Sequence, residues 1–262
     1  MPWLNRVWRL IMTGFCFFLF GAGGLVLSQI WFRLLVFIYR DVDQCRKMAR
    51  RSIAASFGFF LKTARFIGVL DYRIEGADLL RAELGCLIVA NHPTLIDYVL
   101  IASVMPDLDC LVKAELLRNP FTQGVIRAAD YLINSQGSLL LAESKKRLDQ
   151  GDNILIFPEG TRTQKGKPLQ LQRGAANIAI RCRRDLRVVH LRCSQDTLQK
   201  HAKWYQIPPQ KPVFTVQVKQ RIAADDFIMA GTEDSAALAA RHLNRYLTQV
   251  LVPENGQTFR TV

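Results

Sequence analysis

Three patterns of apolar and polar positions divide the chain. Residues 10–32 carry no charge over 23 positions, roughly 34 Å if helical, which is long enough to cross the apolar layer of a bilayer. Arg33 interrupts the run before residues 34–39 resume it, so a re-entrant hairpin held in one leaflet competes with a straight crossing. Residues 44–70 contain six basic side chains (Arg46, Lys47, Arg50, Arg51, Lys62, Arg65) and no acidic one, interleaved with Ile53, Phe57, Phe59, Phe60, Leu61, Phe66 and Ile67. A helix of this pattern lies on an anionic membrane with its cations among the head groups. The same pattern also serves a basic-faced helix packed on a protein core.

After Asp71 the period changes. Short β-rich runs at 86–90, 110–113, 131–134, 154–157, 188–193 and 213–219 alternate with helical stretches near 95–104, 116–128, 138–150 and 173–183. The alternation predicts an α/β fold, a mixed and largely parallel sheet flanked by helices, preceded by a membrane-associated helical segment. Thr232 is placed to cap a last helix, with Ala236, Ala240, Leu243, Leu247 and Val250 on one stripe and Pro253 ending it.

Composition narrows the setting. Of 262 residues, 35 are Lys or Arg and 22 Asp or Glu, a formal charge of +13, which points to anionic partners such as a lipid surface, an acidic carrier protein or a phosphorylated substrate. Nucleic acid accounts for the charge but leaves the apolar N-terminus without a role. The six cysteines (Cys16, Cys45, Cys86, Cys110, Cys182, Cys193) include no C-x-x-C pair, as expected of a reduced compartment without a metal cluster. A cleaved signal peptide is the rival reading of the N-terminus; the apolar continuation past Gly24 and the basic patch beyond it favour a retained anchor over 1–43. Positive charge is heavier after the apolar run than before it. The expected location is therefore the inner (cytoplasmic) membrane, with the globular part in the cytoplasm.

The chemistry gathers in two blocks, each at the end of an apolar run. In Asn91-His92-Pro93-Thr94-Leu95-Ile96-Asp97, His92 and Asp97 would lie about 140° apart on a continuous helix, so a turn must bring them together. Asn91-His92 is that turn, and Pro93 suits the first position of a helix. A carboxylate on one imidazole nitrogen sets the tautomer and raises the basicity of the other, equipping His92 as a general base. With no nucleophilic Ser or Cys beside it in sequence, direct attack by a bound acceptor is favoured over a covalent intermediate. The second block is Phe157-Pro158-Glu159-Gly160-Thr161-Arg162. Gly160 permits close backbone approach, Arg162 offers a planar fork for phosphate or carboxylate, and Glu159 can hold that fork or the substrate. Lys165 and Lys167 extend the cationic rim.

These blocks, in this order, resemble the first and third motifs of the glycerolipid acyltransferase family, whose best-known members are the bacterial 1-acylglycerol-3-phosphate acyltransferases. Residues 111–116 resemble the lysine-bearing strand end that follows in that family, residues 151–156 its lead-in to the third block, and Gly174-Ala175 the helix beyond, so the similarity covers roughly residues 70–220. The resemblance implies a membrane-associated enzyme over 71–252 that moves a fatty acyl group from acyl-CoA or acyl carrier protein to a lipid acceptor without metal or organic cofactor. It implies His92 as base, Asp97 as its orienting partner, and Asn91, Lys113, Glu159, Gly160, Thr161 and Arg162 as substrate-binding. Residues 44–70 then form the basic amphipathic helix and 253–262 a tail.

The chain departs from the family pattern at two places. Where the second block ends in arginine, it reads Tyr131-Leu132-Ile133-Asn134-Ser135, and where the fourth has proline after two aliphatics, Val188-Val189 is followed by His190. The lost arginine removes a charged hydrogen-bond donor of ~1.5–3 kcal/mol from a phosphate clamp, which opens the alternative of an amino-acid lipid or aryl polyene type acceptor. His190 reads as a strand residue with a satisfied partner. A further alternative is a non-catalytic module docking an acyl carrier protein through Arg173, Arg181, Arg183, Arg184, Arg187 and Arg192, opposed in that stretch by Asp185 alone.

Overall fold

The computed structural model describes residues 2–119, 122–134, 137–163, 168–228 and 233–252. Ser135, Lys165, Lys167, Thr232 and the tail lie outside them. The N-terminal apolar run is one helical rod: α1 (Pro2–Val26), a π-helical stretch (Leu27–Trp31) and α2 (Phe32–Ile38). Arg33 does not break it, because its guanidinium bonds Gln29 one turn back at 2.8 Å and stays on the exposed side. The chain reverses after Ile38, where the Asp41 carboxylate accepts the N–H of Gln44 at 2.8 Å and so caps α3 (Val42–Phe66). The α3 helix runs back antiparallel to the rod. Trp31 bonds Ser52, Phe20 stacks on Phe57 and meets Phe60 edge-on, and the Trp8 indole reaches the carbonyl of Ile67.

Beyond it lie β1 (Asp71–Glu75), α4 (Ala77–Arg81), β2 (Leu87–Ala90), α5 (Asp97–Ala102), β3 (Leu108–Val112), α6 (Gln123–Ala129), β4 (Leu132–Ile133), α7 (Gly137–Asp149), β5 (Asn153–Ile156), α8 (Gly174–Cys182), β6 (Leu186–Cys193), β7 (Val213–Ile222) and α9 (Glu233–Val250). The seven strands form one sheet in the order β1-β7-β6-β2-β5-β3-β4. Every neighbouring pair is parallel except β6 with β7. Ile88, Ala90 and Leu155 belong to one core and Leu87, Val89, Ile154 and Ile156 to the other. Strand side chains alternate between faces, so continuous apolar runs are what a sheet covered on both sides requires.

Three elements differ from the expectation, among them the short α4, which no predicted helix covers. The predicted helix at 116–128 is a 3₁₀ turn (Ala114–Arg118) followed by α6, since Asn119 precedes Pro120 and the residue before proline is pushed out of the helical region. The edge strand β1 was not anticipated, its alternation being masked by charged and half-exposed positions.

The basic helix α3 is also less exposed than its charges implied. Lys47, Arg51, Lys62 and Arg65 face outward, but Arg46 and Arg50 are buried. Arg50 bonds Asp109 at 2.6 Å, Asp152 at 3.0 Å and the Ala129 carbonyl at 2.9 Å, and Arg147 joins Asp109 from α7 at 2.7 Å. This network fastens the helical hairpin to the sheet. Removing one member leaves its buried partners short of a counter-charge in the interior.

Candidate active site

Both sequence blocks leave the carboxyl ends of adjacent parallel strands, with Val89 paired to Ile156. The chain leaves β2 toward β3 and leaves β5 toward β6, on opposite sides in the strand order, which opens a crevice between the two turns.

In the first turn His92 Nδ1 lies 2.8 Å from Asp97 Oδ2, the opening residue of α5. That same oxygen accepts the N–H of Thr94 at 2.7 Å, and the Thr94 hydroxyl donates to Oδ1. Asp97 is fully enclosed, and burial pushes its carboxyl above the ordinary aspartate value, against the opposing pull of His92 and Thr94. With Nδ1 engaged, Nε2 is the nitrogen left for a substrate proton. The Phe157 ring stacks on the imidazole at 4.2 Å between centroids and fixes its plane.

The second turn holds the first. Glu159 Oε1 accepts the His92 N–H and the Thr163 hydroxyl, both at 2.8 Å, and the Thr163 N–H donates to the His92 carbonyl at 2.7 Å. Burial raises the Glu159 carboxyl, opposed by those bonds. Gly160 adopts φ 64°, a left-handed conformation that favours glycine at the turn, and the end of the Gln172 side chain lies where a Cβ would stand. Arg162 Nη1 donates to the carbonyls of Leu198 and Gln199, each at 3.0 Å, while Nε and Nη2 have no hydrogen-bond partner among the described residues.

His92, Lys113, Gly160, Thr161 and Arg162 line one cavity of about 800 Å³. Its lining is largely apolar and aromatic and includes Cys110 and the hydroxyl-paired Tyr98 and Tyr131. Asn134, in the block from which that arginine is missing, also lines it.

Three expectations need correction. Asn91 is buried, and its amide bridges to Leu191 of β6 through both its oxygen and its nitrogen, at 2.7 and 2.9 Å, so that it ties the end of β2 to β6, and it is not among the residues lining the cavity. Glu159 does not hold Arg162 but seats the main chain of His92. The arginine-rich stretch is partly neutralised from elsewhere in the fold: Arg187 is paired with Glu83, and Arg184 with Asp149. His190 is a β6 residue whose Nε2 meets the Val250 carbonyl at 2.6 Å. Thr94, Phe157 and Thr163 were not singled out in the sequence, although each lies within or beside a block that was.

Residues 71–194 match the family model described as Acyltransferase. The chain is 35% identical over 100 residues to a 1-acyl-sn-glycerol-3-phosphate acyltransferase of Helicobacter pylori, covering 36% of this chain and 42% of that one. It is 26% identical over 130 residues to the human 1-acyl-sn-glycerol-3-phosphate acyltransferase beta, covering 47% of each. The chain thus spans about half the length of the curated relatives it matches. The crystal structure of the 1-acyl-sn-glycerophosphate (LPA) acyltransferase PlsC from Thermotoga maritima shares the fold, with a TM-score of 0.64 at 19% identity over 98% of this chain and 100% of that one. The mixed, mostly parallel sheet flanked by helices and the long apolar N-terminal helix agree with the architecture expected of the sequence.

Proposed function

We propose that the protein transfers a fatty acyl group from an acyl thioester, carried by CoA or acyl carrier protein, to the free hydroxyl of 1-acylglycerol 3-phosphate. The observation that carries this reading is the His92–Asp97 pair, seated by the Glu159 loop at the polar end of a large apolar cavity that also presents Lys113 and Arg162. His92 Nε2 takes the proton of the acceptor hydroxyl as its oxygen attacks the thioester carbonyl carbon. The tetrahedral intermediate collapses with cleavage of the carbon–sulfur bond, and His92 returns the proton to the departing thiolate, giving an ester and a thiol. Imidazolium formed in the first step is stabilised by Asp97. The cavity's apolar depth suits the acyl chain, and Lys113 with the outer edge of Arg162 suits the phosphate.

The setting is a membrane surface. The rod through residues 3–38 is long and apolar enough to cross a bilayer and is scarcely buried. Phe59 and Phe66 on α3 extend its exposed apolar face, far more than a soluble monomer displays. The outward cations of α3 and the charge flanking the apolar run support a cytoplasmic side for the domain.

Purified protein in detergent micelles, given acyl-CoA or acyl-carrier protein and 1-acylglycerol 3-phosphate, should yield phosphatidic acid, and His92→Ala should lose it while still folding. Near-normal turnover without the imidazole would exclude the base assignment. The lost arginine of the second block, where the chain reads Asn134-Ser135, favours a second reading, an acceptor without glycerol phosphate, and lipid mass spectrometry on extracts of overproducing cells separates the two by which acylated lipid accumulates.

A further inference from the structure

A second cavity, of about 170 Å³, lies between α1, the end of α3, α5 and the 194–212 segment. Phe20 and Phe60 stand between it and the larger cavity and line both. Its walls are mostly hydrocarbon and aromatic, with one charged group among them, Arg9. Only 3% of Arg9 is exposed. Nη2 donates to the Pro209 carbonyl at 2.8 Å, but Nε and Nη1 are buried without a hydrogen-bond partner among the described residues.

That arrangement has no account in stability. An ion taken out of water costs several kcal/mol unless a counter-charge and hydrogen bonds offset it, and here one carbonyl does so for one nitrogen of three. Replacing such a group by an apolar one of similar size relieves the fold. A guanidinium with two donors open toward hydrocarbon is, however, the recognition chemistry for an anion carried on an aliphatic tail. Arg6, one helical turn away on the same face of α1, lines the adjoining depression with Trp3, Tyr205 and Asp196 and adds a second cation near its mouth. Lipid is what this helix meets, since Leu4, Trp8, Ile11 and Phe18 of α1 are exposed.

We infer that this cavity is a lipid site separate from the candidate active site. It takes an amphiphile whose anionic head lies against Arg9 Nε and Nη1 and whose chain enters between Phe17, Phe20, Phe60 and Val99. An apolar cavity of ~150 Å³ holds a benzene, so this one admits a segment of about six carbons and leaves the rest of the chain in the bilayer. A phospholipid phosphate and a free fatty carboxylate share this chemistry. The inference does not rest on acyl transfer.

Native mass spectrometry of the delipidated full-length protein in detergent tests it, with phosphatidylglycerol, oleate, inorganic phosphate and diacylglycerol offered singly. One phosphatidylglycerol or one oleate per chain should be retained, and whichever is held identifies the head. Inorganic phosphate and diacylglycerol, lacking tail and charge respectively, should not bind. Arg9→Met should weaken retention at least tenfold without lowering the melting temperature of the lipid-free protein, while Arg33→Met, on the exposed side of α2, should bind as wild type does. Equal retention by Arg9→Met, an equal loss in Arg33→Met, binding of phosphate or diacylglycerol alone, or a lower melting temperature for lipid-free Arg9→Met would each overturn the inference.

Discussion

Substituting Asp97→Asn separates the charge of the catalytic pair from its geometry. One oxygen of Asp97 accepts from His92 Nδ1–H and from the Thr94 N–H, and the other accepts from the Thr94 hydroxyl. An asparagine carbonyl in the first position keeps both N–H bonds, and its amide donates to the Thr94 hydroxyl, which can accept as well as donate. Tautomer and ring orientation are then retained, and Phe157 still backs the ring. What disappears is the negative charge beside the imidazolium that forms as His92 takes the substrate proton. A hydrogen bond involving a charged group contributes ~1.5–3 kcal/mol and a neutral one ~0.5–1.5 kcal/mol. The difference, about 1–1.5 kcal/mol, corresponds to roughly a 5- to 13-fold fall in kcat/KM at 1.36 kcal/mol per factor of ten. Removing the base in His92→Ala should cost more, roughly 10²–10⁴-fold. The assay is thiol release from an acyl thioester in the presence of 1-acylglycerol 3-phosphate, with circular dichroism to confirm folding. Because burial already disfavours the Asp97 charge, the asparagine variant should melt no earlier than wild type. Wild-type turnover in Asp97→Asn would refute the reasoning, and so would a fall equal to that of His92→Ala, since the carboxylate would then be acting through position as well as charge.

Other outcomes follow from the same geometry. Burial lifts the Glu159 carboxyl above its ordinary value of 4.5, so the stability it contributes is present at acid pH and is lost as pH rises through the folded-state value. Glu159→Gln keeps an acceptor for His92 and Thr163 and should gain in melting temperature relative to wild type as pH rises; a gap that does not change with pH would contradict this. Arg50→Ala strands the fully buried Asp109 beside Arg147 alone and should cost ~3–5 kcal/mol, read as an earlier urea midpoint; a loss below about 1 kcal/mol would show that the network does not fasten α3 to the sheet. Tyr98 and Tyr131 pair their hydroxyls in the cavity lining, so either single Phe variant leaves the other hydroxyl without its partner at ~1–3 kcal/mol while the double variant should be close to neutral. Additive losses in thermal melts would argue against the pair.

The local sequence was enough for the α/β alternation, because β2 and β5 sit in the middle of the sheet and need unbroken apolar runs to face both cores. It was enough for His92 and Asp97 too, since five residues folded into one turn can meet without help from the rest of the chain. The edge strand β1 and the break before α6 were less legible, the first for want of an apolar run and the second because a proline outweighed helical periodicity.

What the tertiary structure decided is the partner of each polar side chain. Asn91 could have faced a substrate, but strand order set β6 beside β2 and its amide went to Leu191, 100 residues away. Glu159 could have held Arg162, yet the neighbouring strand presented the His92 N–H, 67 residues earlier. Arg46 and Arg50 read as head-group ligands until the sheet placed Asp109 and Asp152 beneath them. A local turn or an apolar period is written in contiguous residues, whereas a hydrogen-bond donor accepts many partners, and only the packing of distant segments chooses among them.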